Sequence, residues 1–257
     1  MIPKDIARFL ARYSEGLRLA VQYGLLSGNL CEYACSNEPH GSGALGRWID
    51  RRFLRLSRWD GLRQRVQTTK GLVAEVLARR RASGRNTMIL DIASGTARYL
   101  RELMREHAGD DLVIAAHDRD PRQVVLGREL VAAEGLPNFT FAVGDAIDHS
   151  SYLTSCDPDV ILAVGLFGRL HDDAAVRTVM RLAFLHLSPD GCFICTTLTG
   201  SRVLDPDAFG ARVAVRSPET IAAWLRQAGF VNIDQRFSQP HGFALIGWKP
   251  NDARACA

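Results

Sequence analysis

The sequence predicts an α/β fold: a doubly wound, mostly parallel sheet closing in an antiparallel C-terminal hairpin, with a helical cap in front of it. Three observations predict it. From Met88 to Leu103 an apolar run (Met88, Ile89, Leu90, Ile92), a small-residue turn (Ala93-Ser-Gly-Thr-Ala97) and a helical segment follow one another. Beyond Gly95, apolar runs and helical segments alternate, which builds a parallel sheet covered on both faces. Last, two strand-like segments are joined by Ser-Gln-Pro-His-Gly, a composition suited to a hairpin turn.

The elements follow in order. Ile2 to Leu26 has apolar residues at Ile6, Phe9, Leu10, Tyr13, Leu17 and Val21, spaced for one helix with Pro3 in its first turn. Gly24, Ser27 and Gly28 interrupt it, a short helix is expected from Asn29 to Ala34, and Asn37-Glu-Pro-His-Gly-Ser-Gly43 reads as a loop. From Leu45 to Trp59 the spacing predicts an amphipathic helix, with Leu45, Ile49, Phe53 and Leu56 on one face and Arg47, Arg51, Arg55 and Arg58 on another. A helix over Asp60 to Arg81 and a polar link, Arg79 to Asn86, complete a cap of residues 1–85; residues 86–257 form the second domain. There the pattern gives a helix to His107, a strand to His117, a helix over Pro121 to Glu134, and strands Phe139 to Val143 and Val160 to Val164. Helix Asp173 to His186, strand Cys192 to Thr197, helix Pro218 to Ala228 and strands Ile233 to Phe237 and Phe243 to Trp248 end the series.

Composition narrows the class. No apolar run approaches the roughly 20 residues that span a bilayer, and Met1-Ile-Pro-Lys-Asp is charged where a signal peptide is apolar, so a cytoplasmic protein with no membrane partner is expected. The six cysteines have no spacing that demands disulfides or zinc. Cys192 and Cys195 would face opposite sides of a strand, while Cys31 and Cys35, one helical turn apart, have no second pair to complete a metal site. Residues 1–88 carry 16 Lys and Arg against 7 Asp and Glu, a balance of +9 in a chain of net charge +4. The arginine stripe is read as a solvated face or as guanidinium groups for a small anion. A nucleic-acid partner is not expected, because the basic helices lack interleaved surface aromatics.

Acids mark the site. Of a three-glycine loop only the central Gly95 is present, with Ala93 and Ala97 in the outer positions. Asp91 ends the first strand, Asp118 ends the next run twenty-three residues after Gly95, and Asp145 follows the third in Val-Gly-Asp-Ala. An acid at that distance suits a ribose hydroxyl pair, and three acids on adjacent strand tips suit an adenosine better than a phosphate.

These residues resemble the class I S-adenosylmethionine-dependent methyltransferases. The resemblance rests on Asp91-Ile-Ala-Ser-Gly95-Thr-Ala97, Asp118, Gly144-Asp145-Ala146 and Pro158-Asp-Val-Ile-Leu-Ala-Val-Gly165, and covers about residues 86–249. Arg98-Tyr99, with Ser27-Gly28, Tyr33, Asn37 and Gly43 to Phe53, is similar to a group of bacterial methyltransferases sometimes fused to a hydrolase domain. The resemblance implies a Rossmann-like, seven-stranded sheet and S-adenosylmethionine as methyl donor, or as the substrate itself. It implies that Asp118 meets the ribose, Asp145 and Ala146 the adenine, and Asp91, Ala93, Gly95, Arg98 and Tyr99 the loop and the methionine part, with Arg119 also among the cofactor-binding residues. Gly165, Leu166 and Phe167 would border the cofactor from the fourth strand.

Tyr33, His171 and Tyr23 are the candidate catalytic residues. His171 could act as a general base, or it simply neighbours a helix cap. Tyr13, Tyr23, Tyr33, Phe167 and Phe243 could line a pocket for the sulfonium, or pack in the core. Three functions are weighed: methyl transfer to a small molecule of secondary metabolism with the cap closing over it, intramolecular cyclisation of the cofactor to azetidine-2-carboxylate with release of methylthioadenosine, and a non-catalytic adenosyl- or RNA-binding module. Azetidine-carboxylate synthases are similar in plan. Neither an Asn/Asp-Pro-Pro-Tyr acceptor pattern nor a catechol-type metal cluster is visible, and the sequence does not give the oligomeric state.

Overall fold

A computed structural model describes residues 4–25, 27–82, 84, 86–107, 112–198, 213–238 and 242–251. Two compact units are formed, one within Met1–Gln64 and the other from Arg65–Thr199 with Ala214–Ala257.

The first unit is helical: α1 (Lys4–Leu10), α2 (Glu15–Tyr23), α3 (Gly28–Ser36), α4 (Gly43–Leu54) and the opening turns of α5 (Ser57–Ala82). The single helix expected over Ile2 to Leu26 is two helices. Ser14 has extended backbone and accepts the Leu17 amide through its hydroxyl, so it starts α2 as an N-cap. The Pro3 and Leu26 positions lie outside the described residues. The helix expected to run to Trp59 ends at Leu54, and Trp59 belongs to α5.

The inward face of α4 also differs from the expected one. Leu45 and Leu56 are 58% and 46% exposed, while Gly46, Asp50, Phe53 and Leu54 are buried. Asp50 explains this. Its carboxylate, fully buried, accepts from the Ser14 hydroxyl and the Tyr33 hydroxyl at 2.5 Å each, and from the amides of Gly16 at 3.2 Å and Glu15 at 3.3 Å. The acid therefore turns inward to serve the positive end of α2, and the register of α4 follows it. Gly46 lies on the same side because a Cβ there would stand 2.2 Å from the Tyr13 carbonyl oxygen. The basic helices do carry surface aromatics: Phe9 and Trp48 are 55% and 54% exposed.

The second unit holds one seven-stranded sheet: β1 (Thr87–Asp91), β2 (Leu112–Asp118), β3 (Phe139–Val143), β4 (Val160–Ala163), β5 (Cys192–Leu198), β6 (Val231–Ser238) and β7 (Gly242–Trp248). Its order is β3-β2-β1-β4-β5-β7-β6. Strands β1 to β5 pair in parallel, and β7 runs antiparallel to both β5 and β6. The Rossmann-like plan and the C-terminal antiparallel pair expected from sequence are both present; the turn at 239–241 lies outside the described residues. Helices α6 (Arg98–Glu106), α7 (Pro121–Ala133), α8 (Asp173–His186) and α9 (Pro218–Ala228) connect the strands.

Side-chain alternation sorts the strands into two cores. Ile89, Ile114 and Leu162 pack with α6, α7 and the part of α5 around Val73, whereas Leu90, Ile161 and Phe193 pack with α8 and α9. Chain order reverses at β1, which lies between β2 and β4, and that reversal opens a crevice at the carboxyl ends of these strands. Among the described residues no helix is long and apolar enough to cross a membrane.

Replacing Asp50 by Ala strands two hydroxyls and two helix-end amides in the core. Urea denaturation should show a loss of about 3 kcal/mol or more, with Asp50→Asn losing less.

Candidate functional site

The site is built from three strand tips that sit side by side. Asp91, the last residue of β1, is completely buried. One carboxylate oxygen accepts the Ala93 amide at 3.1 Å and the other the Tyr99 hydroxyl at 2.5 Å, so the carboxylate ties the start of the small-residue loop to the first turn of α6. Burial pushes the Asp91 carboxyl up to about 7, opposed by those two donors and assisted by the charge of Asp118. Burial and the neighbouring Asp91 raise the Tyr99 hydroxyl, keeping it protonated as the donor.

Between them the loop turns sharply. Gly95 (φ 55°) and Ala97 (φ 49°) both lie in the left-handed region, so Ala97 adopts the conformation for which the familiar motif uses glycine. Ser94 donates its amide to the His117 carbonyl at 3.0 Å, and Gly95 donates its amide to the Asp118 carboxylate at 2.8 Å. Asp118 also accepts the Asp120 amide at 2.9 Å and is half-buried. Each oxygen thus holds one backbone amide, and a carboxylate with about four acceptor sites keeps the remainder for another donor.

The third tip is joined to the second. Gly144 donates its amide to the Asp118 carbonyl at 3.1 Å, and His117 Nδ1 lies 2.8 Å from the Ser151 carbonyl. Asp145 is half-buried, accepts the Ile147 amide at 3.2 Å and has the exposed Arg119 guanidinium at 3.9 Å. Ala146 is buried, with its carbonyl accepting the Tyr152 hydroxyl at 2.7 Å. After β4, Gly165 (φ 70°) donates its amide to the Thr196 hydroxyl at 2.8 Å, and Leu166 is half-buried.

The structure therefore brings Asp91, Ala93, Gly95, Tyr99, Asp118, Arg119, Asp145 and Ala146 into one chain of contacts. Other expected residues are placed differently. Phe167 and Phe243 are fully buried in the core shared with α8 and α9, which is the second of the two placements the sequence left open for them. Arg98 donates to Glu102 one turn further along α6. His171 is exposed and directly precedes Asp172, the N-cap that accepts the Ala174 amide of α8. In the helical unit, Tyr33 donates to Asp50, accepts the His40 amide at 3.1 Å, and is raised by burial and then by Asp50, which keeps it protonated as the donor. Tyr23, on α2, is half-buried against that unit's apolar core.

Two supports were missed from sequence. Arg101, 2% exposed, donates to the Thr96 carbonyl at 3.1 Å and pairs with Glu134 at the C-cap of α7. Arg216, also buried, donates to the carbonyls of Phe167 at 2.7 Å and Leu170 at 2.9 Å and pairs with Asp173. Nothing in the sequence sets either arginine apart, and only their burial reveals the role.

The Asp91 carboxyl gives a pH test. An acid raised in the folded state contributes stability that is full below its ordinary value near 3.8 and is lost as pH rises through about 7. Tyr99→Phe removes a donor to the ionised form and raises Asp91 further. Thermal melts should show this variant losing more stability near about pH 8 than near about pH 5; equal losses would exclude titration of Asp91 there.

Comparison with known proteins places this geometry. A family model described as "Putative methyltransferase" matches residues 2–244. The uncharacterized protein YnbC of Escherichia coli strain K12 is 28% identical over 258 residues, covering 92% of this chain and 44% of YnbC, so the chain spans less than half the length of that relative. A "possible exported protein" from Bordetella parapertussis has a similar structure, with a TM-score of 0.71 at 20% identity over 97% of this chain and 90% of that one. The S-adenosylmethionine-dependent methyltransferase SibL in its apo form has a TM-score of 0.58 at 16% identity, over 92% of this chain and 73% of SibL. At these identities the structures share the fold. The match over residues 2–244 shows the lineage: the chain belongs to this methyltransferase family.

Proposed function

We propose that the chain transfers a methyl group from S-adenosylmethionine to a small-molecule acceptor of the kind made in secondary metabolism. The observation that carries this reading is Asp118, a half-buried carboxylate at the crevice whose two oxygens are fixed by the Gly95 and Asp120 amides and keep acceptor capacity outward. That donor set suits a ribose diol, which offers two hydroxyl protons side by side.

In this reading Asp118 binds the two ribose hydroxyls, and Asp145 accepts from the adenine amino group, with Arg119 at the rim. Small Ala146 leaves the base room. Asp91 stays behind the loop: fully buried, with both oxygens engaged, it orients Ala93 and α6. Gly165 and Leu166 border the sulfur end, and His171, exposed beside the cap of α8, accepts a proton from the attacking group of the acceptor. When bound, the cofactor supplies a sulfonium-activated methyl group, so the protein's contribution is alignment of the nucleophile and exclusion of water. Absence of the Asn/Asp-Pro-Pro-Tyr pattern supports an acceptor other than an amide or a nucleobase amino group.

Two measurements test this. Calorimetric titration with S-adenosylmethionine should show Asp118→Ala binding at least tenfold more weakly, roughly the loss of one charge-assisted hydrogen bond; unchanged affinity would remove Asp118 from the site. Mass spectrometry of the protein incubated with the cofactor and candidate acceptors should find S-adenosylhomocysteine only when an acceptor is present. Methylthioadenosine with a four-membered amino acid, formed without acceptor, would replace methyl transfer by cyclisation.

A further inference from the structure

The methyl-transfer reading leaves one face of the helical unit unused. On α4 and its C-cap, Arg47, Arg51, Arg52 and Arg55 are all exposed, and the only acid of that helix, Asp50, is buried, so no carboxylate of α4 offsets them at the surface. Leu45 (58%), Trp48 (54%) and Leu56 (46%) are exposed among these arginines, and the Arg52 guanidinium lies 5.6 Å from the Trp48 ring centre. The neighbouring α1 is likewise apolar at its surface, with its own Arg8 paired to Asp5 at 3.8 Å. Ile6 is 50% and Phe9 55% exposed, Tyr13 stands edge-on to Phe9 at 6.0 Å, and Arg12 lies 5.9 Å from the Phe9 ring. The two segments touch, because Ser42 at the start of α4 donates its amide to the Tyr13 carbonyl at 2.8 Å.

We propose that this face of α1 and α4 docks on an anionic lipid bilayer, with Trp48, Leu45, Phe9 and Ile6 entering the headgroup boundary and Arg47, Arg51 and Arg55 binding lipid phosphates. The composition is the reason: tryptophan, phenylalanine and aliphatic side chains beside unbalanced arginines on a helix lying flat on the surface suit the interface between acyl chains and headgroups. A second copy of the chain does not suit it, since a two-fold contact would set the arginines of α4 against themselves. RNA uses the arginines and the rings but has no use for exposed Leu45, Leu56 and Ile6, which cannot stack on bases. The inference stands apart from the methyl-transfer reading and needs none of its residues.

The test is co-sedimentation of the full chain with phosphatidylglycerol–phosphatidylcholine vesicles and with phosphatidylcholine vesicles, together with tryptophan emission. Of the four tryptophans, Trp59 and Trp224 are buried and Trp248 is half-buried on β7, so a blue shift that is lost with Trp48→Ser reports on Trp48. The protein should pellet only with the anionic vesicles, with a blue shift and with weakening as salt is raised. The double variant Leu45→Ser/Trp48→Ser should bind about tenfold more weakly, and Arg47→Gln/Arg51→Gln/Arg55→Gln roughly a hundredfold at low salt. All five substituted side chains are at the surface, and circular dichroism verifies that each variant is folded. No pelleting with anionic vesicles at low salt, pelleting untouched by the double variant, or a dimer that the double variant splits would each overturn the proposal.

Discussion

Backbone amides need acceptors, and the small-residue loop after β1 presents several of them in a sharp turn with few side chains to satisfy them. Asp91 takes the amide of Ala93, Asp118 takes that of Gly95, and the His117 carbonyl takes that of Ser94. This fixes far more than the loop. Asp91 also holds Tyr99 and so the direction of α6, while Asp118 is followed by the cap that starts α7. The crevice between β1 and β4 is therefore shaped by carboxylates whose first duty is to their own chain.

The helical unit uses the same device. Asp50 receives the first amides of α2 together with two hydroxyls, and four donors from two segments, the start of α2 and α3, converge on one buried carboxylate. A buried charge is tolerated only when its acceptor sites are filled, and here they are filled by groups that would otherwise be stranded. The outward apolar and basic face of α4 is the counterpart of that choice, because turning Asp50 inward rotates Leu45 and Trp48 outward.

Periodicity made the second unit legible. Strand β3 and helices α8 and α9 have the expected limits, since apolar runs bounded by acids, Pro or Ser leave little choice. The helical unit was read less well for a definite reason: a periodic pattern cannot show that Ser14 will cap a helix in the middle of an unbroken apolar repeat, or that an aspartate will take an inward position. The acids of the candidate site stood out because each ends an apolar run. Arg101, Thr196 and Arg216 did not, because each works on a partner distant in sequence: Glu134, the Gly165 amide and the Phe167 carbonyl. Phe167 and Phe243 illustrate why two placements stayed open, as aromatic composition says nothing about which side of a strand tip a ring occupies.

The alanines that flank Gly95 have a consequence for binding. A loop with three glycines samples many backbone states before a ligand arrives and loses that freedom when it is held. Here Ala93 and Ala97 restrict the search, and Ala97 is kept at a positive φ that costs an alanine about 1 kcal/mol. Part of the ordering entropy is thus removed during folding, so under the proposed function the loop would meet the cofactor already shaped and association would be limited by diffusion into the crevice more than by loop closure.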